Sequence, residues 1–324
     1  FMHTSTCYVA GDRTGEVHEI DPLSYPFPKA DKLEKQHWDP AREIAECVDL
    51  VENVRHRAND AFRQSAFLDQ AKQNLINRGE PARGSALADE LEKVRRKFIE
   101  DRLIKDGTER AKFWGWHNIY TYTKSIGEQI LCLSGLPFTI VRPAVIESSM
   151  EYPEVGWCEG VNTSAPLIYL SMKGPGGFPA EKESVLDVIP VDMVSAGMIC
   201  ALGELLEGSP RVVYQLGSSD SAPLPMYRLI ELVGLGKRRH YNEKAGGNPL
   251  FNWIMAHNEP GHMTANEYYA SGPTAQAGWV KSVAGFVRSV GGPLKPLTAP
   301  AAKQLETVSK QLLIRARILD QFVP

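Results

Sequence analysis

The sequence has no uninterrupted apolar run of the ~20 residues that a membrane-spanning helix needs. The nearest candidate, residues 185–206, is interrupted by Asp187 and Asp192. We therefore expect no transmembrane segment, and we leave peripheral association with a membrane open. The sequence also has no large excess of charge of either sign. Its 36 basic and 39 acidic residues give a net charge of −3, and the two kinds are interspersed along the chain. This balance argues against a nucleic-acid partner.

Cysteine is scarce, with five residues that lie far apart and have no metal-ligand spacing. They predict free thiols in a reducing, cytoplasmic compartment, and neither a disulfide framework nor a metal site. His257 and His262 lie in a loop-like segment, which does not favour a metal pair either. With 324 residues, 43% of them apolar, the chain is long enough for one large or two ordinary domains.

The glycine-rich turn that holds a dinucleotide in many α/β enzymes is absent from the sequence. Gly174-x-Gly176 and Gly234-x-Gly236 come nearest, but both lack a third glycine and the setting between a strand and a helix. Residues 173–177 are not followed by Lys-Ser or Lys-Thr, so we interpret them as a turn and not as a phosphate loop.

Residues 114–129 predict a helix, since they contain no proline and no helix breaker follows before residues 134–135. In a helix, Tyr120 and Lys124 lie on one face because they are four residues apart. A nearby cation favours the phenolate form of a phenol, which suits proton transfer to a carbonyl oxygen. The pair alone is a weak signal, because a packed tyrosine beside a solvated lysine gives the same pattern. Tyr122 has no lysine at the matching spacing.

Short strands are predicted on both sides of this helix. Residues 1–10 are typical of a core strand with hydroxyls at Ser5 and Thr6, and residues 138–144 of a strand that Pro143 ends. Such an α/β arrangement binds ligands at the carboxyl ends of its strands. Further along, we predict strands at residues 185–190 and 212–216, and helices at residues 191–206 (with Asp192 as a cap or first-turn acid), 226–233 and 303–322.

Together these motifs resemble the extended short-chain dehydrogenase/reductase superfamily. Within it, the chain is similar to the fatty acyl-CoA reductases of the male-sterility type over roughly residues 1–20 and 113–220. The motifs that carry the resemblance are His3-x-Ser5-Thr6-x-Tyr8-Val9, Gly115-Trp116-His117-Asn118-x-Tyr120-x-x-Thr123-Lys124-x-x-Gly127-Glu128, Val141-Arg142-Pro143 and Ile189-Pro190-Val191-Asp192-Met193.

The resemblance implies NADPH-dependent reduction of a fatty acyl-CoA thioester to fatty aldehyde, fatty alcohol or both. It implies that Tyr120 donates the proton, that Lys124 assists it and holds the ribose, and that Thr6 binds the carbonyl oxygen. Local backbone bonding by the hydroxyls of Ser5 and Thr6 is the alternative for those two residues. The cofactor-binding residues that the resemblance implies are Ser5, Tyr120, Lys124, Pro143 and Val145.

The expected fold class is α/β: an incomplete Rossmann-like doubly wound parallel sheet with a long helical insertion and a mixed C-terminal region. Helical spacing predicts one helix over residues 41–77, which Asp39-Pro40 begins, and a second over about residues 87–106. We expect a fragment that is inactive alone, with the first half of the nucleotide domain before Phe1. The expected parts are residues 1–20 (last strands of the truncated nucleotide domain), 21–112 (helical insertion), 113–240 (catalytic helix and substrate-binding part) and 241–324 (a mostly helical region).

Two other functions stay open. One is another extended short-chain enzyme, either a thioester reductase domain or a sugar-nucleotide epimerase, although the insertion and Gly115-Trp116 argue against the epimerase. The other is a non-catalytic fragment that serves as a binding module. Trp157 is either a wall of an acyl pocket or a packed loop residue. Acyl chain length, the choice between NADPH and NADH, and the oligomeric state are left undecided.

Overall fold

The computed structural model describes residues 1–33, 38–160, 164–173, 177–244, 246–289 and 295–319. These residues belong to two units. Unit 1 comprises Phe1–Ala144 and Ser195–Leu216, and unit 2 comprises Val145–Val194 and Gly217–Pro324. The turn that we predict at residues 173–177 lies largely outside the described residues, because residues 174–176 are not among them.

Short parallel strands and many helices make up the described chain. The strands are β1 (Met2–Thr4), β2 (Thr139–Pro143), β3 (Val145–Glu147), β4 (Gly177–Pro179), β5 (Val188–Pro190), β6 (Val213–Leu216) and β7 (Gly261–Met263). The helices are α1 (Pro40–Ala58), α2 (Ala61–Arg78), α3 (Gly84–Trp114), α4 (Ile119–Cys132), α5 (Ala165–Lys173), α6 (Val191–Leu206), α7 (Met226–Glu243), α8 (Pro249–His257), α9 (Ala265–Ser271), α10 (Pro273–Ser289) and α11 (Lys295–Leu319).

The sheet of unit 1 is parallel and has the strand order β1-β2-β6. This confirms the predicted α/β class, with an incomplete Rossmann-like arrangement of parallel strands and helices. The prediction that residues 1–10 form one strand is wrong, because β1 ends at Thr4 and Cys7–Ala10 form a 3-10 turn. The Thr6 hydroxyl accepts a hydrogen bond from the Tyr8 amide and so begins that turn.

The predicted helix over residues 41–77 is in fact two helices. Asp39 caps α1 as predicted, since its side chain accepts from the Arg42 amide. Asp60 then caps α2 by accepting a hydrogen bond from the Phe62 amide. The helical structure is therefore interrupted between residues 58 and 61. Such local capping overrides the continuous helical spacing of the apolar residues.

The second predicted helix does not end near residues 106–107 but runs on to Trp114. Gly107 is inside α3, where a Cβ would lie only 2.9 Å from Ile119 Cδ1. The glycine therefore permits close packing of α3 on α4 and does not end the helix. Because Gly115 ends α3 at a φ of +106° and Asn118 caps α4, the helix that carries Tyr120 begins at Ile119 and not at Trp114.

We expect Gly115→Ala to destabilise the protein by about 1–3 kcal/mol. The φ of +106° disfavours any side chain, and a Cβ would lie 2.9 Å from Pro28 Cβ. The free energy of unfolding in urea measures this cost. Gly135→Ala is the matched control, because Gly135 also has a positive φ but a Cβ there meets nothing within 4 Å. Equal losses in the two variants would contradict the close packing at Gly115.

An aromatic cluster fills the core of unit 1 between α3, α4 and the segment before α1. The ring of Trp38 lies 4.7 Å from that of Trp114 and 5.2 Å from that of Phe27, measured between centroids. Trp116 packs 5.4 Å from Tyr122 and donates its indole N–H to the Val9 carbonyl. The cluster holds the N-terminal half of α4 in place.

In unit 2, β3 pairs with β5 and β4 with β7, both in parallel. Its core includes Phe178, Ile230 and Tyr268. The helix predicted over residues 226–233 continues to Glu243, and α11 begins at Lys295, earlier than predicted. None of the helices in the described part of the chain has the length and apolar character that crossing a membrane requires.

Candidate active site

Lys124 connects α4 to the carboxyl end of β1 in unit 1. Its ammonium donates a hydrogen bond of 2.8 Å to the Thr4 carbonyl oxygen. The same nitrogen lies 6.0 Å from the ring centroid of Tyr120. The helical spacing therefore places both side chains on one face, as predicted, and that face meets the end of the strand from which Thr6 follows.

Tyr120 and Tyr122 have opposite environments although they are two residues apart. Tyr120, in the first turn of α4, is 56% exposed, whereas Tyr122 is 2% exposed. The Tyr122 hydroxyl donates to the Glu43 carboxylate and lies 3.2 Å from Cys47 Sγ. Burial, followed by these two contacts, raises the pKa of Tyr122 far above its ordinary value. Tyr122 is thus committed to the core, and Tyr120 is the phenol that a ligand can reach.

The two hydroxyls after β1 differ in their bonding. Thr6 Oγ1 accepts a hydrogen bond from the Tyr8 amide at 3.3 Å. Of Ser5 and Thr6, Thr6 therefore makes the local backbone hydrogen bond that was the alternative for both hydroxyls. Its O–H remains a donor, because a hydroxyl both accepts and donates. Ser5 is 3% exposed, and its Oγ has no hydrogen-bond partner among the described residues. A buried polar atom of this kind favours a bound ligand or water.

His3 lies on β1 beside these groups, and the sequence alone did not identify it as part of the site. Its Nε2 is buried without a hydrogen-bond partner in the described part of the chain. Burial, and then the nearby Lys124 ammonium, lower the pKa of His3 below its ordinary value. A neutral imidazole next to the lysine leaves that ammonium as the local positive charge.

A buried ion pair fixes α4 against β2. Arg142 donates to both carboxylate oxygens of Glu128 at 2.9 and 2.6 Å, and both side chains are at least nine-tenths buried. Glu128 lies one helical turn after Lys124, so the pair positions the lysine relative to the sheet. Glu128 and Arg142 occur in the motifs that carry the resemblance, but their pairing could not be derived from sequence spacing.

A second buried carboxylate anchors α4 to α1 and α3. Glu43 accepts two hydrogen bonds from Arg110, at 2.6 and 2.7 Å, and one from Trp114 Nε1 at 2.9 Å. It also accepts the hydroxyl of Tyr122. These three helices therefore share one fully paired carboxylate, and this fixes the register of the helix that carries Tyr120.

The other two predicted cofactor residues, Pro143 and Val145, lie in strands. Pro143 is the last residue of β2, opposite Leu216 of β6. Val145 is in β3 and belongs to unit 2. Five of the six predicted site residues are therefore in unit 1. Within the described residues, no group of His, Cys, Asp and Glu side chains could hold a metal ion.

Asp192 holds a loop of unit 2. Its carboxylate accepts the backbone amides of Met150, Glu151 and Tyr152 at 2.8–3.1 Å. The bonds from Met150 and Tyr152 do most to lower the pKa of Asp192, to about 2. Its role is structural, and it extends from the first turn of α6 to this loop.

We expect Asp192→Ala to speed amide exchange at residues 150–152, because three donors lose their acceptor. Hydrogen–deuterium exchange measures this, with Asp220→Ala as the control. Since the folded-state pKa is lowered, the stabilisation is present at neutral pH and is lost as pH falls through about 2. Unchanged exchange in Asp192→Ala would contradict the assigned role.

The chain matches the model of the male sterility protein family over residues 1–198. A Simmondsia chinensis protein named alcohol-forming fatty acyl-CoA reductase is 27% identical over 288 residues, which cover 85% of this chain and 46% of that relative. The Arabidopsis thaliana protein named probable fatty acyl-CoA reductase 4 is 41% identical over 240 residues, or 72% of this chain and 40% of the relative.

Another Arabidopsis thaliana relative, named fatty acyl-CoA reductase 2, chloroplastic, is 30% identical over 242 residues, with 72% of this chain and 33% of the relative covered. The chain thus spans between a third and a half of the length of these relatives. The family match covers more than half of the chain and agrees with the motifs around Tyr120 and Lys124. The chain therefore belongs to the male sterility protein family, the fatty acyl-CoA reductase type of nucleotide-binding extended short-chain dehydrogenase/reductases.

Proposed function

We propose that this chain takes part in the NADPH-dependent reduction of a fatty acyl-CoA thioester. The observation that carries the proposal is the position of the Lys124 ammonium, between the Tyr120 ring and the Thr4 carbonyl at the carboxyl end of β1. The carboxyl ends of parallel strands are where α/β sheets bind ligands. The names of the relatives supply the substrate class, acyl-CoA.

The three proposed catalytic side chains have complementary roles at a carbonyl oxygen. Tyr120 donates its phenolic proton to that oxygen, and its exposure leaves the hydroxyl accessible to substrate. Thr6 donates a second hydrogen bond, since its O–H proton stays available while its oxygen accepts the Tyr8 amide. The Lys124 ammonium stabilises the phenolate that remains after proton transfer.

The residues present fit the nicotinamide end of a cofactor. Ser5 Oγ is buried without a partner among the described residues, and Lys124 has N–H donors beyond the one that Thr4 receives. Within unit 1, Ser5, Tyr120, Lys124 and Pro143 are the proposed contacts. NADPH supplies the hydride when it is bound. The glycine-rich turn that would hold a pyrophosphate is not in this sequence.

The proposed reaction consists of one reduction or of two, and each reduction uses one NADPH and one proton. In the first, acyl-CoA, NADPH and a proton give the aldehyde, free CoA and NADP⁺. In the second, the aldehyde, another NADPH and a proton give the alcohol and NADP⁺. We propose a reducing compartment such as the cytoplasm for this reaction, because the five cysteines lie far apart in the sequence and predict no disulfide framework.

Turnover of a long-chain acyl-CoA tests the proposal, with the complete encoded protein that contains these 324 residues. The assay follows NADPH oxidation, CoA release and the lipid products together, and NADH replaces NADPH in a parallel reaction. We expect one NADPH per CoA if aldehyde is the product, or two if it is alcohol. CoA release without NADPH oxidation would indicate thioester hydrolysis, and no turnover at all would favour a non-catalytic binding module. Either result would reject the reductase.

A further inference from the structure

Two buried polar atoms of β1 and the residue after it are left over from the site described above. His3 Nε2 and Ser5 Oγ both lack a hydrogen-bond partner within the ranges that the structure describes. Buried polar groups in native proteins are nearly always hydrogen-bonded, to protein or to ordered water, because an unpaired one is costly. Two such atoms only two residues apart indicate a polar molecule bound between them.

The pairing of β1 with β2 places these two side chains on the same face of the sheet. The Ser5 amide donates to the Val141 carbonyl at 2.7 Å, so the extended backbone continues one residue beyond Thr4. Alternate residues of an extended strand share one face. A Cβ on Gly127 would lie 3.9 Å from His3 Nε2, so the shared face is the one toward α4.

The Lys124 ammonium lies close to the same two residues. It donates to the carbonyl of Thr4, which follows His3 directly in the chain. After burial, the Lys124 charge is the main cause that lowers the pKa of His3, while the Glu128 carboxylate, itself paired with Arg142, acts in the opposite direction. The imidazole is therefore neutral at neutral pH and is able to accept a proton.

We propose that His3 and Ser5, which we call the relay pair, hold one water molecule beside Lys124, and that His3 passes protons from solvent to the lysine through this water. A buried water needs two to four polar partners. His3 Nε2, Ser5 Oγ and a second N–H of Lys124 supply three. Ser5 keeps a further hydrogen-bonding position for the cofactor, since a hydroxyl has one donor and two acceptor positions.

The relay rests on the proposed function, because it replaces the proton that Tyr120 gives to the substrate oxygen. Lys124 returns a proton to the Tyr120 phenolate and becomes an amine. That amine takes a proton from the water while the water takes one from His3 Nε2, so the water is unchanged. His3, whose ring is only partly buried, gains its proton from solvent at the other ring nitrogen. One proton thus moves from solvent to Tyr120, and no electrons are transferred.

A crystal structure of the complete encoded protein, without substrate, tests the water site independently of activity. We expect one ordered water within about 3 Å of both His3 Nε2 and Ser5 Oγ. The same water should be missing from Ser5→Ala, which removes one of its partners. If polypeptide outside these 324 residues bonds directly to both atoms, the relay pair is part of the packing and the proposal is overturned.

His3→Gln separates the relay from hydride transfer, because glutamine keeps a polar end but does not pass a proton through a ring. The first hydride transfer uses the proton already present on Tyr120, so its single-turnover rate should change little. Steady-state kcat should fall about tenfold or more, since the return of the proton then limits turnover. Imidazole added to His3→Ala should restore kcat in a saturable way. His18→Gln changes an exposed histidine of unit 1 and should leave both rates unchanged.

Circular dichroism confirms that each variant is folded. Three kinetic results would overturn the relay: equal losses in the single-turnover rate and in kcat of His3→Gln, an unchanged kcat in that variant, or no rescue of His3→Ala by imidazole. A protein that holds the water but reduces no acyl-CoA would reject the proposed function together with the relay. Normal turnover in His3→Gln would reject the relay alone.

Discussion

Tyr120→Phe should lower kcat for acyl-CoA reduction by about 10²–10⁴-fold, the usual contribution of a positioned general acid. The change removes only the phenolic oxygen, and the exposed ring keeps its place in the first turn of α4. KM should change little, since the ring and Lys124 remain. Steady-state kinetics with saturating NADPH measures the effect.

Two tyrosine variants serve as controls. Tyr269→Phe removes the hydroxyl of another exposed tyrosine, which lies in unit 2, and should keep full activity. Tyr122→Phe removes a hydroxyl that donates to Glu43 in the core. It should lower the free energy of unfolding and change kcat little. If Tyr122→Phe rather than Tyr120→Phe abolished the chemical step, the proposed acid would be the wrong residue.

Glu128→Ala should destabilise the protein by about 3–5 kcal/mol, because it leaves the Arg142 guanidinium buried and unpaired. Arg142 on β2 donates hydrogen bonds of 2.6 and 2.9 Å to the Glu128 carboxylate on α4, away from solvent. Chemical denaturation measures the loss as a lower unfolding midpoint.

Removing both charges tests whether the loss comes from the unpaired charge. The double variant Glu128→Leu/Arg142→Met should recover a large part of the stability, since neither charge then remains buried. Glu243→Ala breaks an exposed pair with Arg239 and should cost less than about 0.5 kcal/mol. A similar loss of unfolding free energy in Glu128→Ala and Glu243→Ala would show that the buried pair contributes no more stability than the exposed one.

Local patterns in the sequence were enough to find the centre of the candidate site. The four-residue spacing of Tyr120 and Lys124 predicts one helix face, and the structure confirms that both lie there. The helix start at Asp39-Pro40 is also correct, because capping is a local interaction between neighbouring residues.

Local sequence patterns did not predict where α3 ends and where α4 begins. Gly107 suggested a helix end, but tertiary packing against Ile119 keeps it inside α3. Long-range contacts were also out of reach. Glu43 meets Arg110 across 67 positions, and Lys124 reaches Thr4 across 120. Spacing rules apply within one element, so they do not find partners on different elements.

The most direct test of the account is Lys124→Met, with Lys124→Arg and Lys182→Met for comparison. The measurement is single-turnover hydride transfer from bound NADPH to a long-chain acyl-CoA, together with the Kd of NADPH. We expect Lys124→Met to weaken NADPH binding and to slow hydride transfer, Lys124→Arg to retain part of both, and the exposed Lys182→Met to change neither. A Lys124→Met protein that binds NADPH and transfers hydride like the unmodified protein would contradict the proposed site.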